Sequence, residues 1–164
     1  YYDVCSEIEF YRPTHLMSFI GRTHGEGITT IDYLEDKTKL NINVRDNLYA
    51  PMVLAEAAKK YDIHLSYLGT GCIYTYDEIH KFGNENTGFT EDDIPNFTGS
   101  AYSTVKGYTD QLMQFNPNVL TLRIRMPISS VSNSRNFINK ITKYEKICSI
   151  PNSMTVLDDF LPIL

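Results

Sequence analysis

Tyr102 and Lys106 stand four residues apart in a segment, 101 to about 115, that Ser100 is placed to cap as a helix. On a helix this spacing puts a phenol and an ammonium on one face, one turn apart. Such a pair can serve as a proton donor. A phenol titrates near pH ~10 unperturbed, and the neighbouring ammonium is expected to stabilise its anion and lower that value. The spacing by itself carries little weight, because the chain has 12 tyrosines and Tyr33 with Lys37 repeats it as a decoy. Position separates the two pairs. Tyr102 lies between two apolar, strand-like runs, the first of which ends in Gly69-Thr70-Gly71-Cys72. Tyr33 has no such strand-end hydroxyl loop between it and the glycine-rich turn before it. The plain alternative is an exposed, inert Tyr/Lys pair.

Thr70 is placed to offer its hydroxyl to a carbonyl held by Tyr102, although an isolated loop Thr more often serves its own backbone. Two residues on, Cys72 could remove an acidic carbon-bound proton as a thiolate; a lone cysteine is more often a small core residue. The loop Gly21-Arg22-Thr23-His24-Gly25-Glu26-Gly27 imitates a turn that brings a backbone up to a dinucleotide pyrophosphate. A true first turn of that kind is followed about 20 residues later by an acidic residue at a strand end. Around residues 40–46 the pattern is helical instead. Lys140 is by default a solvated charge. His15, His64 and His80 have no partners at ligand spacing, and His24 lies in a loop at the expected ligand edge.

The elements that must position these groups follow from periodicity. Apolar runs over 16–20, 63–68 and 119–126 read as buried strands. Helical patterns cover 40–60, where Pro51 predicts a kink or restart, then 101–115 and 136–144. Residues 81–99, with Gly83, Gly88, Pro95 and Gly99, form a long surface loop of the kind that usually carries function. Apolar strands alternating with helices indicate a doubly wound α/β fold with a parallel sheet. Ligands of such sheets bind beyond the strands' carboxyl ends, which here means loops 21–27, 69–76 and 127–135.

Composition narrows the function classes. The chain has 164 residues, a mass of 18.8 kDa and a net charge of −5, so a nucleic-acid partner is not expected. No apolar run approaches the ~18 residues of a membrane helix, and no membrane partner is expected. Cys5, Cys72 and Cys148, odd in number and far apart, form neither a disulfide framework nor a metal cluster. A reducing cytoplasmic compartment is the simplest home. The chain opens Tyr1-Tyr2-Asp3 without a secretion signal and closes on an apolar stretch, Phe160-Leu161-Pro162-Ile163-Leu164. A piece of a longer protein is expected.

Taken in order, Leu68-Gly69-Thr70-Gly71-Cys72-Ile73, Pro95-Asn96-Phe97-Thr98-Gly99-Ser100, Tyr102-Ser103 with Lys106, 122–130, Arg135-Asn136-Phe137-Ile138 and 150–157 resemble one family. It is the bifunctional UDP-4-keto-6-deoxyglucose 3,5-epimerase/4-reductases of UDP-L-rhamnose synthesis, relatives of the dTDP-4-dehydrorhamnose reductases among the extended short-chain dehydrogenases. The resemblance runs from about Pro13 to the C-terminus. It implies a Rossmann-like sheet truncated at both ends, with 16–20 as the family's fourth strand and the first, pyrophosphate-cradling turn missing. Residues 1–126 are then a partial NAD(P)-binding domain and 127–164 the start of the substrate-binding portion.

The resemblance further implies NADPH, with NADH possible, as hydride source, and a UDP- or dTDP-4-keto-6-deoxy sugar as substrate. Thr70, Tyr102 and Lys106 match the reductase triad, and Asn47 matches an asparagine that braces the active-site lysine through water. Cys72 and Lys140 match the epimerase pair; sister reductases without that step carry an aromatic where Cys72 stands. Gly21, Arg22, Met126, Pro127 and Ile128, with Tyr102 and Lys106, are implied at the cofactor, and Thr70, Cys72 and Asn136 at the substrate. A homodimer is possible. The rivals are another sugar-nucleotide epimerase or dehydratase, the latter wanting an acid pair where Gly71 and Cys72 stand, and a catalytically silent NADP-binding regulatory subunit.

Overall fold

The computed structural model describes residues 1–84 and 88–164; residues 85–87 of the loop expected over 81–99 lie outside the described residues. Three strands, β1 (His15–Ser18), β2 (His64–Thr70) and β3 (Val119–Ile124), form a sheet in the order β1-β2-β3. β1 and β2 run parallel in a register that pairs His15 with His64 and Ser18 with Tyr67. Between them the chain passes through α2 (Leu40–Val44) and α3 (Ala50–Lys60), and between β2 and β3 through α4 (Ala101–Met113). The parallel α/β class read from the residues, which the resemblance narrows to a Rossmann-like sheet, is the one observed. The chain forms two compact units, Tyr1–Arg123 and Ile124–Leu164.

A helix the sequence reading left out, α1 (Tyr2–Tyr11), opens the first unit. Cys5 and Ile8, three apart and therefore on one face, are its buried residues. Ile8 packs with Ala57 of α3 and with Ile63. Arg12 ends the helix in the left-handed conformation, φ 48°, with its N–H on the Ile8 carbonyl.

The break expected at Pro51 takes a specific form. Proline has no N–H for the carbonyl four residues back, here Asn47, and its ring crowds that oxygen. The helix absorbs this as a π turn over Arg45–Tyr49, between α2 and α3. The Asn47 carbonyl is satisfied from outside its helix, by the Thr109 hydroxyl of α4 at 2.6 Å. One proline thereby ties two helices together beside the site.

Ala55 and Ala58 of α3, Leu65 and Tyr67 of β2 and Met113 of α4 form one buried cluster. Alternation along β2 sends Leu65 and Tyr67 to the same face, so α3 and α4 lie against that face. Met17 and Leu120 are exposed. β2 and β3 approach closely at Gly69, where a Cβ would come within 3.0 Å of the Thr121 methyl.

In the second unit, Ile128 bridges Val156 in parallel, and α5 (Phe137–Ile141) and α6 (Leu157–Phe160) are single short turns of helix. Among the described residues no helix is long and apolar enough to cross a membrane, and no cluster of three or more His, Cys, Asp or Glu side chains could hold a metal ion.

Candidate active site

β2 ends at Thr70, and α4 begins 31 residues later in sequence with its N-terminus held by side chains. The Ser100 hydroxyl accepts the Ser103 N–H at 3.0 Å, as the capping pattern predicts. Glu35 supplies what no sequence pattern announced: its two carboxylate oxygens accept the N–H groups of Ala101 at 2.8 Å and Tyr102 at 3.2 Å. An anion there also meets the positive end of the helix dipole. Tyr102 is thus fixed through its own backbone as well as by packing on Tyr33 and Leu34. We expect Ser100→Ala to cost about 1 kcal/mol of stability, read as a lower midpoint in urea denaturation.

The Tyr102 phenol is 7% exposed. It packs against Cys72, and the Thr70 hydroxyl is near enough to favour its ionised form. Thr70 also accepts the backbone N–H of Cys72 at 3.1 Å. The backbone role and the functional role of this threonine are therefore compatible: its oxygen takes an N–H, and its own proton is left to donate. Three of the groups singled out in the sequence, Thr70, Cys72 and Tyr102, meet at the carboxyl end of the middle strand.

The expectation that Lys106 lowers the Tyr102 pKa is overturned. Burial pushes the phenol up to about 12, Cys72 adds to the rise, and only the Thr70 hydroxyl opposes it. The ammonium of Lys106 is spent elsewhere. It reaches across to β2 and donates to the Tyr67 hydroxyl, with its nitrogen 4.5 Å from the Tyr67 ring centre. Burial drives Lys106 down to about 8, with Asp110 pulling the other way. Tyr102 is consequently a protonated phenol throughout the neutral range, which is the form a proton donor needs.

The Asn47 amide is occupied. Its oxygen accepts the Arg22 N–H at 2.8 Å, and its nitrogen donates to the Arg22 carbonyl at 3.0 Å and to Asn43 at 2.8 Å. This clamp docks the loop after β1 onto the 40–60 helix. It also explains Gly21, where a Cβ would come within 3.2 Å of the Asn47 oxygen. The Arg22 side chain pairs with Asp46 at 2.5 Å.

The other glycines of this loop have local work. Gly25 and Ile28 exchange two backbone hydrogen bonds around Glu26 and Gly27, both at positive φ, the conformation of a tight hairpin turn. A Cβ on Gly25 would strike the Tyr33 ring at 2.7 Å. The imitation of a pyrophosphate-binding turn is therefore a hairpin packed on a tyrosine. The decoy pair dissolves as well: Tyr33 and Lys37 sit in two separate 3₁₀ turns, not on one helix face.

In the second unit, Met126 adopts φ 40° and Ile128 uses both its N–H and its C=O in backbone hydrogen bonds. The Pro127 carbonyl accepts the Phe137 N–H at 3.4 Å. Asn136 is buried and caps α5: its oxygen accepts from Ile138, while its nitrogen donates to the Ser129 and Val131 carbonyls. Lys140 is half-buried on α5.

Sequence reasoning missed two further supports. His80 is buried, 2.9 Å from Asp77, 3.6 Å from Asp93 and stacked on Phe89. Arg123 grips the buried Asp110 with two hydrogen bonds of 2.9 and 2.7 Å. Arg123–Asp110 and His80–Asp93 join residues 13 apart, beyond any local pattern, whereas Asp77 is a local partner three residues before His80.

No family model matches the chain. The L780 protein of Acanthamoeba polyphaga mimivirus is 58% identical over 159 residues, which are 96% of this chain and 54% of that protein. A bifunctional dTDP-4-dehydrorhamnose 3,5-epimerase/dTDP-4-dehydrorhamnose reductase of Arabidopsis thaliana is 43% identical over 161 residues, 98% of this chain and 52% of that protein. The chain is a homologue of the rhamnose-synthesis epimerase/reductases. It spans about half the length of these two relatives. The crystal structure of L780, a UDP-rhamnose synthase, superposes on this chain with a TM-score of 0.89, at 58% identity, covering 98% of this chain and 55% of that one. A dTDP-4-dehydrorhamnose reductase from Bacillus anthracis, solved with NADP, shares the fold at TM-score 0.62 and 16% identity, over 85% of this chain and 44% of that one.

Proposed function

We propose that this chain belongs to a protein that reduces a nucleotide-linked 4-keto-6-deoxy sugar with NAD(P)H and also epimerises it at C3 and C5, in the synthesis of UDP- or dTDP-L-rhamnose. The observation that carries the reading is the buried Thr70–Tyr102 hydroxyl pair with Cys72 beside it, at the strand end where such sheets bind ligands. Homology to epimerase/reductases supports it.

The donor set fits the ribose and nicotinamide end of a dinucleotide: a buried phenol and a buried ammonium, one helical turn apart, next to a hydroxyl loop. When bound, the reduced nicotinamide, NADPH by preference, supplies a hydride to the sugar's C4. Thr70 donates a hydrogen bond to the ketone oxygen, and Tyr102 gives it a proton as negative charge develops there, where stabilisation lowers the barrier. Lys106 holds ribose hydroxyls. Gly21, Arg22 and the 126–128 segment line the cofactor, Asn47 keeps the Gly21–Arg22 backbone in place, and Asn136 contacts the substrate.

The epimerisation exchanges protons at carbons acidified by the C4 ketone, and needs a base on one face and an acid on the other. Cys72 and Lys140 take these roles. The cytoplasm is the proposed location and a homodimer the proposed assembly.

The deciding assay offers the full-length protein UDP- and dTDP-4-keto-6-deoxyglucose with NADPH or NADH and identifies the sugar products by NMR. A 4-reduced, L-configured 6-deoxy sugar is expected. Absence of cofactor oxidation with either substrate would favour a silent binding module instead. In the same assay Cys72→Ala should slow deuterium exchange at C3 and C5 about a hundredfold, while reduction of an already epimerised substrate continues unchanged.

A further inference from the structure

Tyr67 belongs to none of the roles above. It lies three residues before Thr70 on β2, is 1% exposed, and meets Lys106 across 39 positions of sequence. The Lys106 side chain is itself 4% exposed. A buried ammonium needs an acceptor for its protons, and the acceptor here is a neutral phenol on the sheet, with the ammonium also 4.5 Å from the centre of that phenol's ring. Asp110, one turn further along α4, has both carboxylate oxygens engaged by Arg123.

We propose that Tyr67 is the positioning residue of Lys106: its hydroxyl anchors the ammonium to β2, so that the lysine is held in place before any ligand arrives. This inference rests on the reductase reading for its consequence, and on geometry alone for the contact. Two properties of the pair fit the role. Tyr67 is rigid, because β2 is the middle strand and the ring packs among Ala55, Ala58, Leu65 and Met113. Its hydroxyl stays un-ionised, since burial, with Tyr102 and Asp110 nearby, raises its pKa well above the ordinary phenol value. It therefore offers Lys106 a neutral acceptor, leaving the ammonium's charge available for ligand hydroxyls.

Among the described residues the ionisable groups facing Lys106 are few. Tyr102 and Asp110 share its helix, Tyr67 faces it from β2, and Arg123 of β3 neutralises Asp110. On the 40–60 helix packed against α4, Asp46 pairs with Arg22 and Arg45, and Glu56, Lys59 and Lys60 are exposed.

The test is side-chain NMR of the full-length protein, following the Lys106 15Nζ and Tyr67 13Cζ resonances with pH. In the unaltered protein both should report one shared step near pH 8. In Tyr67→Phe the lysine midpoint should fall by about one pH unit or more, the loss of one charge-assisted hydrogen bond. In Lys106→Met, which keeps the phenol and covers the case in which Tyr67→Phe does not fold, the step should vanish from the Tyr67 resonance. A lysine midpoint unmoved in Tyr67→Phe, or a Tyr67 resonance blind to the lysine, overturns the proposal. In turnover, Tyr67→Phe should raise the KM for the dinucleotide about tenfold and displace the pH profile; a loss of stability with an unshifted profile overturns it too. Moved resonances in a protein that reduces no sugar nucleotide would uphold the anchor and reject only the reductase reading.

Discussion

Tyr102→Phe should lower reductive turnover on the order of 10³-fold, within the range of a lost general acid, while the KM for the sugar nucleotide changes little. The substitution removes one oxygen and leaves the ring packed on Tyr33 and Leu34. Thr70 keeps its bond from the Cys72 N–H, so the ketone retains a hydrogen-bond donor and binding is largely preserved. An interaction made only as charge develops lowers kcat and kcat/KM together. Stability should fall by about 1 kcal/mol at most, the worth of one ordinary hydrogen bond, so a melting curve separates lost chemistry from lost fold. The pH dependence is set by Lys106 rather than by the phenol. Burial holds Tyr102 protonated up to about 12, whereas Lys106 sheds its proton near 8. If the ammonium is needed to hold the cofactor, kcat/KM declines as pH rises through about 8, and Lys106→Met removes that limb. Stopped-flow reading of NADPH oxidation checks both expectations, and turnover equal to the unaltered protein in Tyr102→Phe would remove the mechanism.

The residues that could be read from sequence are those whose chemistry and position are both local. Tyr102 and Lys106 are four apart on a helix with a serine cap, and Thr70 ends an apolar strand, so periodicity alone brings them toward one edge. What periodicity could not supply is the direction of a flexible side chain. Lys106 shares a helix face with Tyr102, yet four methylenes carry its nitrogen to a phenol on another element. The same blindness applies to Glu35, which caps a helix 66 positions away in sequence, and to α1, where only Cys5 and Ile8 of ten residues are buried. Asn47 shows the opposite case: resemblance implies a brace on the active-site lysine through water, while the observed partners of its side chain are the backbone of Arg22 and the side chain of Asn43. The Gly21–Gly27 loop shows how a spacing can be met for another reason, since a hairpin turn and a tyrosine ring demand glycine as firmly as a phosphate does.

Arg123→Met should destabilise the first unit by about 3–5 kcal/mol, the usual cost of breaking a buried ion pair from one side. Asp110 is 2% exposed and receives two guanidinium hydrogen bonds. Without them its carboxylate stays in a place that cannot solvate it. Arg123 does more than neutralise. Its remaining nitrogen donates to the carbonyls of Thr90 and Glu91, both at 3.1 Å, and the guanidinium lies 5.5 Å from the centre of the Tyr74 ring. One side chain therefore fastens α4 to the segment that runs from Cys72 toward Ser100, so the loss should reach the site as well as the core. A second substitution separates the two effects. In Arg123→Met with Asp110→Leu the orphaned carboxylate is gone, and most of the stability should return, less what the buried Lys106 ammonium loses with the attraction of Asp110. Turnover should not return with it, because the Thr90 and Glu91 carbonyls remain without their donor. Urea denaturation of the three proteins measures the first effect and the reductase assay the second. Equal stability in Arg123→Met and the unaltered protein would mean that the carboxylate finds another partner, with Lys106, four residues back on the same helix, as the nearest cation on α4.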